Sequence, residues 1–279
     1  MQPSYSFSIA FYRLNFHNPT YGPLFRQLYV RQALAYLVDQ AGMAKTLYRG
    51  YGYPTTGPAP SLPVNQWMPA VQQGAGPYPF SIAKATSPLT SHGLGQGRRG
   101  DDLHPPGQMR SGHRQGPATE DHPGLRHRPD RFRPGGRGVQ VRRGKAGIDL
   151  STVGQTFNTI VGEALPCPVG PSCSWQAAMA GGWVYAPDYE PTGEELFATG
   201  AGANKGSYSD PTMDKLIAST TTSGSLATYQ AFATYAAQQL PYIWMPNSYD
   251  VMAVSKNLHG VSFNPLGTLL PEYWYYTKS

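Results

Sequence analysis

The chain has 279 residues, of which 40% are hydrophobic, and its formal net charge at pH 7 is +6. This length supports one large domain or two small ones. No run of about 18 apolar residues occurs, which argues against a transmembrane helix. The first residues have neither the basic start nor the apolar core of a secretory signal, so we expect a soluble chain without a signal peptide.

The first 92 residues carry short strand and helix patterns. Residues 5–12 alternate between apolar and polar positions, which predicts a strand. Residues 28–38 predict a helix, because their apolar residues form one stripe. The members of that stripe are Val30, Ala33, Leu34, Leu37 and Val38. Asp39 is placed to cap a second, short helix that ends near Gly50 or Gly52.

A Pro-rich stretch and a third helix follow. Residues 53–80 have the composition of a loop. Residues 81–87 predict another short helix, which Pro88 should stop because proline lacks the backbone donor that a helix interior needs.

The whole of the net charge lies in one segment, residues 98–143. It contains eleven Arg and five acidic residues, so its net charge equals that of the chain, and it contains no Lys, Ile, Tyr, Asn, Trp or Cys. Four of the seven histidines fall inside it, in surroundings too irregular to indicate a metal site. No period of 3.6 or 2 forms a face that could be buried, so we expect the segment to be disordered.

Three interpretations of this basic segment compete. It could be an arm that binds nucleic acid or another polyanion, since clustered arginines neutralise phosphates. It could be an ordinary solvated linker. We favour a third interpretation, out-of-frame translation of GC-rich DNA, which yields Arg, Gly, Pro and His and avoids Lys, Ile, Asn and Tyr. Globular patterning stops near residue 91 and resumes at residue 145.

Alternating patterns return after the basic segment. Strands are predicted over 147–153, 183–185, 241–245 and 251–254, and helices over 157–165, 194–198, 213–218 and 226–240. Asp210 should cap the helix that begins near Met213, with Pro211 in its first turn. One face of the last helix carries Tyr229, Phe232, Tyr235 and Ala236. Alternating helices and strands indicate an α/β domain.

The two cysteines, Cys167 and Cys173, enclose a tight loop rich in Pro and Gly. Two cysteines cannot fill a tetrahedral zinc site, and their spacing is not that of a redox C-x-x-C motif. A disulfide that clips the loop would suit an exported protein. Two free thiols remain the alternative.

Two segments before the basic segment, LYVRQALAYLVD at residues 28–39 and YPFSIAKA at residues 78–85, have the sequence of a helix and of a later helix entry. With the motifs that follow the basic segment, they resemble the peptide-type family (family 5) of extracellular solute-binding proteins of ABC importers. Residues 186–192, APDYEPT, together with Asn204, Tyr208 and the DKLI of 214–217, are similar to its "DY" region. The order and spacing of these motifs make the resemblance specific.

The resemblance implies an incomplete type II periplasmic-binding-protein fold. Residues 1–92 and 145–248 would form the second, C-terminal lobe, with residues 93–144, which contain the basic segment, as a disordered insert. Residues 249–279 would return to a first lobe that this chain lacks, and the apolar face on which that lobe packs would be exposed. In the family, two lobes close over a peptide, and the loaded protein docks on a membrane permease.

The resemblance also implies a ligand site. Asp188 would pair with the α-amino group of the peptide through a charge-assisted hydrogen bond. Trp183 would form a wall of the pocket, and Tyr189 and Asn204 are further candidate contacts. Loop hydrogen bonding and core packing are the favoured alternative for Asn204 and Tyr208, and a turn or cap before Pro191 is the alternative for Asp188. Arg31 is expected to be a surface or packing residue of its helix rather than a ligand contact.

We find no motif of a known catalytic site, and therefore expect a non-enzymatic, monomeric binding protein without metal or cofactor. Its parent would work outside the cell or in the periplasm, at the membrane, with a peptide or other small solute and a permease as partners. Polyanion binding through residues 98–143 is the alternative function, and a hydrolase with an unrecognised site is a weaker one. The expectation for the chain as it stands is impaired peptide binding, because one wall of the cleft is absent.

Overall fold

The computed structural model describes residues 3–94, 146, 148, 152, 154–164, 175–186, 190–263 and 268–277. Helices and strands alternate in these ranges. The predicted α/β class is therefore confirmed. The basic segment, the predicted strand over 147–153 and both cysteines lie outside the described residues, apart from isolated positions, so the predictions made for them stay predictions.

A four-stranded antiparallel sheet carries the fold. Its central strand is β2, Ser8–Leu14, rather than the predicted residues 5–12. On one side β2 pairs with β6, Tyr242–Met245, so that two segments more than 200 residues apart become neighbours. On the other side it pairs with β4, Ala177–Ala178, and β5, Gly182–Val184. Because β2 is flanked on both sides, six of its seven residues are buried.

Three helices follow the central strand. They are α1, Gly22–Phe25, α2, Leu28–Tyr36, and α3, Gln40–Thr46. The predicted apolar stripe of α2 is buried in full. Asp39 caps α3 as expected, since its carboxylate accepts a hydrogen bond from the backbone N–H of Gly42 at 2.9 Å. That helix ends earlier than predicted.

The Pro-rich stretch contains the short strand β3, Gly52–Tyr53, and one 3-10 turn, Ala70–Gln72. The next helix, α4, spans Ile82–Ser91 and runs through Pro88, so the prediction that Pro88 ends it was wrong. Leu89 is 3% exposed and packs in the core. Burial of a leucine contributes about 1.5–3 kcal/mol, which offsets much of the roughly 3 kcal/mol that an interior proline costs.

Beyond the basic segment, α5 is one short turn, Phe157–Thr159, which continues into a π-helical turn, Ile160–Ala164. Two long helices are then well formed: α6, Pro211–Ser223, and α7, Leu226–Gln239. Asp210 caps α6 with Pro211 at its first position, as predicted. The predicted helix over 194–198 is instead a series of turns.

Short strands complete the chain. They are β1, Pro3–Ser4, β7, Asn247–Ser248, β8, Asp250–Val251, β9, Leu258–His259, and β10, Tyr275–Tyr276. They form two-stranded pairs, β1 with β8, β3 with β7, and β9 with β10. The strand predicted over 251–254 therefore overlaps β8 only at Val251. Exposed tyrosines concentrate near the C-terminus, at Tyr273, Tyr275 and Tyr276.

Candidate functional site

Strand β5 leads directly into the segment that contains Asp188. Three of its residues pair with β2, with Trp183 opposite Ile9. Immediately after it, the backbone N–H of Tyr185 donates to the carbonyl of Phe7 at 2.8 Å. The Tyr185 hydroxyl donates to the carbonyl of Pro58 at 3.1 Å, and the side chain is only 4% exposed. The chain is thus fixed by sheet and side-chain contacts up to this point.

The other end of this segment is held by a different element. The Tyr229 hydroxyl, on α7, donates a hydrogen bond to the Glu190 carboxylate. The carbonyl of Glu190 accepts a further hydrogen bond from the N–H of Thr192 at 2.7 Å. Asp188 and Tyr189 themselves lie outside the described residues. Their ligand-binding roles stay predictions, but the residues on either side of them are tied to the sheet and to α7.

Trp183 lies within β5, as predicted for an extended segment. Its side chain is partly buried and packs against the core cluster. Val184, next to it, is 68% exposed. In the part of the chain that the structure describes, β5 pairs only with β2, so no described strand pairs with its second edge.

Asn204 is buried and bonds entirely to its own loop. Its amide nitrogen donates to the carbonyls of Ala198 and Tyr208 at 3.0 and 2.8 Å, and its oxygen accepts from the N–H of Tyr208 at 3.1 Å. These hydrogen bonds correspond to the alternative role given above for Asn204, which is loop hydrogen bonding. A contact between Asn204 and ligand stays a prediction to which these hydrogen bonds lend no support.

Asp210 is the centre of a polar cluster that joins three elements. One carboxylate oxygen accepts from the N–H groups of Thr212 and Met213, at 2.8 and 3.2 Å. The other accepts from the hydroxyls of Tyr208 and Tyr235, each at 3.0 Å. Burial raises the pKa of Asp210, but these four hydrogen bonds outweigh it, so its pKa lies below the ordinary value of 3.8.

The charge of Asp210 should make stability depend on pH. Because the folded-state pKa is depressed, its contribution is fully present above about pH 4 and is lost as the pH falls through the folded pKa. The variant Asp210→Asn keeps a helix cap but not the charge. We expect it to unfold more easily than wild type near neutral pH, with a difference that narrows in acid, as measured by urea denaturation across pH. The exposed Asp250→Asn variant is the control. A stability difference between Asp210→Asn and wild type that does not change with pH would show that the charge of Asp210 does not stabilise the fold.

Sequence reasoning missed two features of this region. The hydrogen bond between Tyr229 and Glu190 joins residues 39 positions apart, and no local pattern indicates it. The second is Arg13, a cation that is 5% exposed in the central strand. Its only trace in the sequence is a charge inside an otherwise apolar run, IAFYRL.

Two kinds of feature are absent from the described ranges. There, no group of three or more His, Cys, Asp or Glu residues is placed to hold a metal ion. No described helix combines the length and the apolar character needed to cross a membrane.

Solved structures with the same fold include peptide-binding proteins. The oligopeptide-binding protein AppA from Bacillus subtilis, in complex with a nonapeptide, matches 99% of this chain with a TM-score of 0.71 and 18% identity. A dipeptide-binding protein from Pseudoalteromonas sp. SM9913, in complex with Met-Leu, also matches 99% of it, with a TM-score of 0.67 and 18% identity. HbpA2 from Haemophilus parasuis matches 99% with a TM-score of 0.64 and 19% identity.

The chain covers 52%, 50% and 50% of these three structures, respectively, and thus spans about half their length. It has an incomplete type II periplasmic-binding-protein fold, as predicted. The model of the bacterial extracellular solute-binding proteins, family 5 middle, matches residues 2–112. The predicted resemblance to part of a family 5 solute-binding protein is thereby confirmed. No curated protein matches the chain.

The family match extends into the basic segment, where it ends at residue 112. It does not reach residues 113–144. The out-of-frame origin of the basic segment and the domain boundaries at residues 92, 144 and 248 stay predictions.

Proposed function

We propose that this chain supplies one wall of a binding site for a peptide, or for another small solute, that an ABC importer takes up. Family 5 proteins are extracellular solute-binding proteins, and the AppA and dipeptide-binding structures hold peptides. Action outside the cell or in the periplasm, a permease as partner, and a monomeric state belong to the same proposal. No enzymatic step is part of it.

The observation that carries the proposal is the second edge of β5, close to Asp188 in the sequence, with which no described strand pairs. An extended peptide can add to such an edge through main-chain hydrogen bonds, which tolerate many side-chain sequences. Asp188 follows four residues after the last residue of β5. A carboxylate at that place would bind the α-amino group of a peptide aligned on the strand.

The same proposal includes weak binding by this chain alone. It spans about half the length of its structural relatives, and closed binding proteins bury their ligand between two lobes. Val184 is exposed beside the proposed peptide position. A peptide there would be covered on one side only, so much of the burial that gives affinity would be missing.

The test is a peptide titration of the purified 279-residue chain. By calorimetry we expect no binding of micromolar affinity, and an affinity in that range would contradict the impairment. At millimolar peptide, NMR titration should show weak binding that requires a free α-amino group. Asp188→Asn should weaken it about 10- to 100-fold, the equivalent of one charge-assisted hydrogen bond. An N-acetylated peptide and the exposed Asp250→Asn variant are the controls, and equal binding by Asp188→Asn would remove Asp188 from the site.

A further inference from the structure

Arg13 is a buried cation at the end of the central strand. It lies between Tyr242 of β6 and Ala178 of β4, and only 5% of its surface is exposed. The central carbon of its guanidinium is 4.8 Å from the ring centre of Phe11 and 5.8 Å from that of Tyr242. Aromatic faces attract such a cation, but they offer no hydrogen-bond acceptor along its edge.

The described residues satisfy the guanidinium of Arg13 only in part. Its Nε and one terminal nitrogen are buried, and neither has a hydrogen-bond partner among them. Burial lowers the pKa of Arg13, and the Tyr242 hydroxyl offsets part of that effect. Arg31, the other buried arginine in the described ranges, is hydrogen-bonded in the usual way. It donates to three backbone carbonyls and interacts electrostatically with Asp210.

An arginine remains protonated even when it is buried, so Arg13 calls for an acceptor that also carries negative charge. A guanidinium presents its N–H groups as a planar fork, which matches the two oxygens of a carboxylate. We propose that Arg13 is an oxyanion-binding residue that takes a carboxylate group. The apolar rings around it would strengthen that contact, because they exclude water. The inference goes beyond peptide binding through Asp188 and does not depend on it.

Acetate is the first probe, added to the full chain and compared with chloride at equal ionic strength. At about a tenfold excess over its dissociation constant, acetate should raise the melting temperature by about 3–6 °C. In Arg13→Met the response should be absent, and the melting temperature in chloride should equal or exceed that of wild type, because an uncompensated buried charge has been removed. The exposed Arg49→Met is the matched control and should respond as wild type does.

Two results with these variants would overturn the proposal. One is an acetate response that persists in Arg13→Met. The other is a melting temperature in chloride that falls well below the wild-type value, or a failure of this variant to fold, since either shows that Arg13 already has a partner within the chain.

A measurement on wild type alone gives an independent test. The ¹⁵N resonance of Arg13 Nε should shift saturably with acetate. That of Arg31 Nε, which donates to the carbonyl of Gln239 at 2.9 Å, should not shift. An Arg13 resonance that is insensitive to acetate and to trialanine would overturn the proposal.

A comparison of trialanine with trialanine amide shows whether the carboxylate at Arg13 belongs to the bound solute or to a free anion. A shift of Arg13 Nε with trialanine but not with its amide supports the proposal and identifies the carboxylate of the bound solute. A shift with acetate alone supports it with a free anion as the occupant. If wild type binds no peptide even at millimolar concentration while acetate still shifts Arg13 Nε, the peptide proposal fails and this one stands.

Discussion

Replacing Arg31 by Met should lower the free energy of unfolding by about 3–5 kcal/mol, because three backbone carbonyls lose a charged donor and each unpaired carbonyl costs about 1–3 kcal/mol. Arg31 is 4% exposed and donates hydrogen bonds to the carbonyls of Phe25, Arg26 and Gln239, at 2.7, 2.9 and 2.9 Å. Methionine has similar reach but no donor. Carbonyls left unpaired in a buried site cost free energy that a fully exposed group would recover from water.

The effect should be large because Arg31 joins elements that are distant in sequence. Its carbonyl partners lie just before α2 and at the end of α7, so one side chain holds two helices together. Its guanidinium also lies over the rings of Phe16 and Tyr208, 5.8 and 5.7 Å from their centres. The substitution therefore removes contacts to both helices at once.

Urea denaturation measures the loss, with Arg49→Met as a matched control. Arg49 is exposed, so its replacement should change stability by no more than about 0.5 kcal/mol. Arg31→Lys should recover only part of the loss, because an ammonium cannot present the planar fork. If Arg31→Met were as stable as the control, the three carbonyls would have to find other partners, and the proposed role of Arg31 in holding the helices would be wrong.

The variant Gly182→Ala should separate β5 from the central strand and cost about 3 kcal/mol, the upper end of the usual range for overpacking. A Cβ on Gly182 would lie 1.8 Å from the carbonyl oxygen of Ile9. That atom belongs to the backbone of β2, so it cannot rotate away as a side chain could. Since β5 leads into the segment of Asp188, the change should also abolish the weak peptide binding proposed above.

Gly202→Ala is the control, because a Cβ there meets nothing within 4 Å. We expect it to change stability by about 0.5 kcal/mol or less. Amide hydrogen exchange should show faster exchange in β5 of Gly182→Ala and unchanged exchange in α6 and α7. Unchanged protection of β5 would mean that the strand accommodates the methyl group, contrary to this prediction.

The helices of this chain could be predicted closely because their determinants are local. The apolar stripe of α2 and the cap at Asp39 lie within a few residues of each other. Asp210 and Pro211 mark the start of α6 in the same way, although that helix continues beyond the predicted residues to Ser223. Such spacing and capping act over one or two turns, which a sequence shows directly.

The errors have tertiary causes. Pro88 was expected to end its helix, but burial of Leu89 favours continuation through it. Residues 194–198 form turns rather than a helix, with Leu196 and Phe197 buried at 1% exposure each. In both places packing against distant elements outweighs the local preference.

The candidate site, too, could be predicted from the sequence only in part. Its residues were identified from a family resemblance, and the fold that this resemblance implied is confirmed. What fixes the site could not be inferred from sequence. The contacts of Tyr185 with Pro58, and of Tyr229 with Glu190, join residues 127 and 39 positions apart.

The sequence by itself determined the α/β class, the places of the main helices and the resemblance to part of a solute-binding protein. These follow from periodicity, caps and motifs, all of which act over a few residues. Only the tertiary structure decided that β2 lies between β6 and β5 and that β5 has no second partner strand among the described residues. It also decided that two guanidinium nitrogens of Arg13 are buried without a hydrogen bond to the described residues. Strand pairing joins residues far apart in the chain, and which polar groups become buried depends on that pairing.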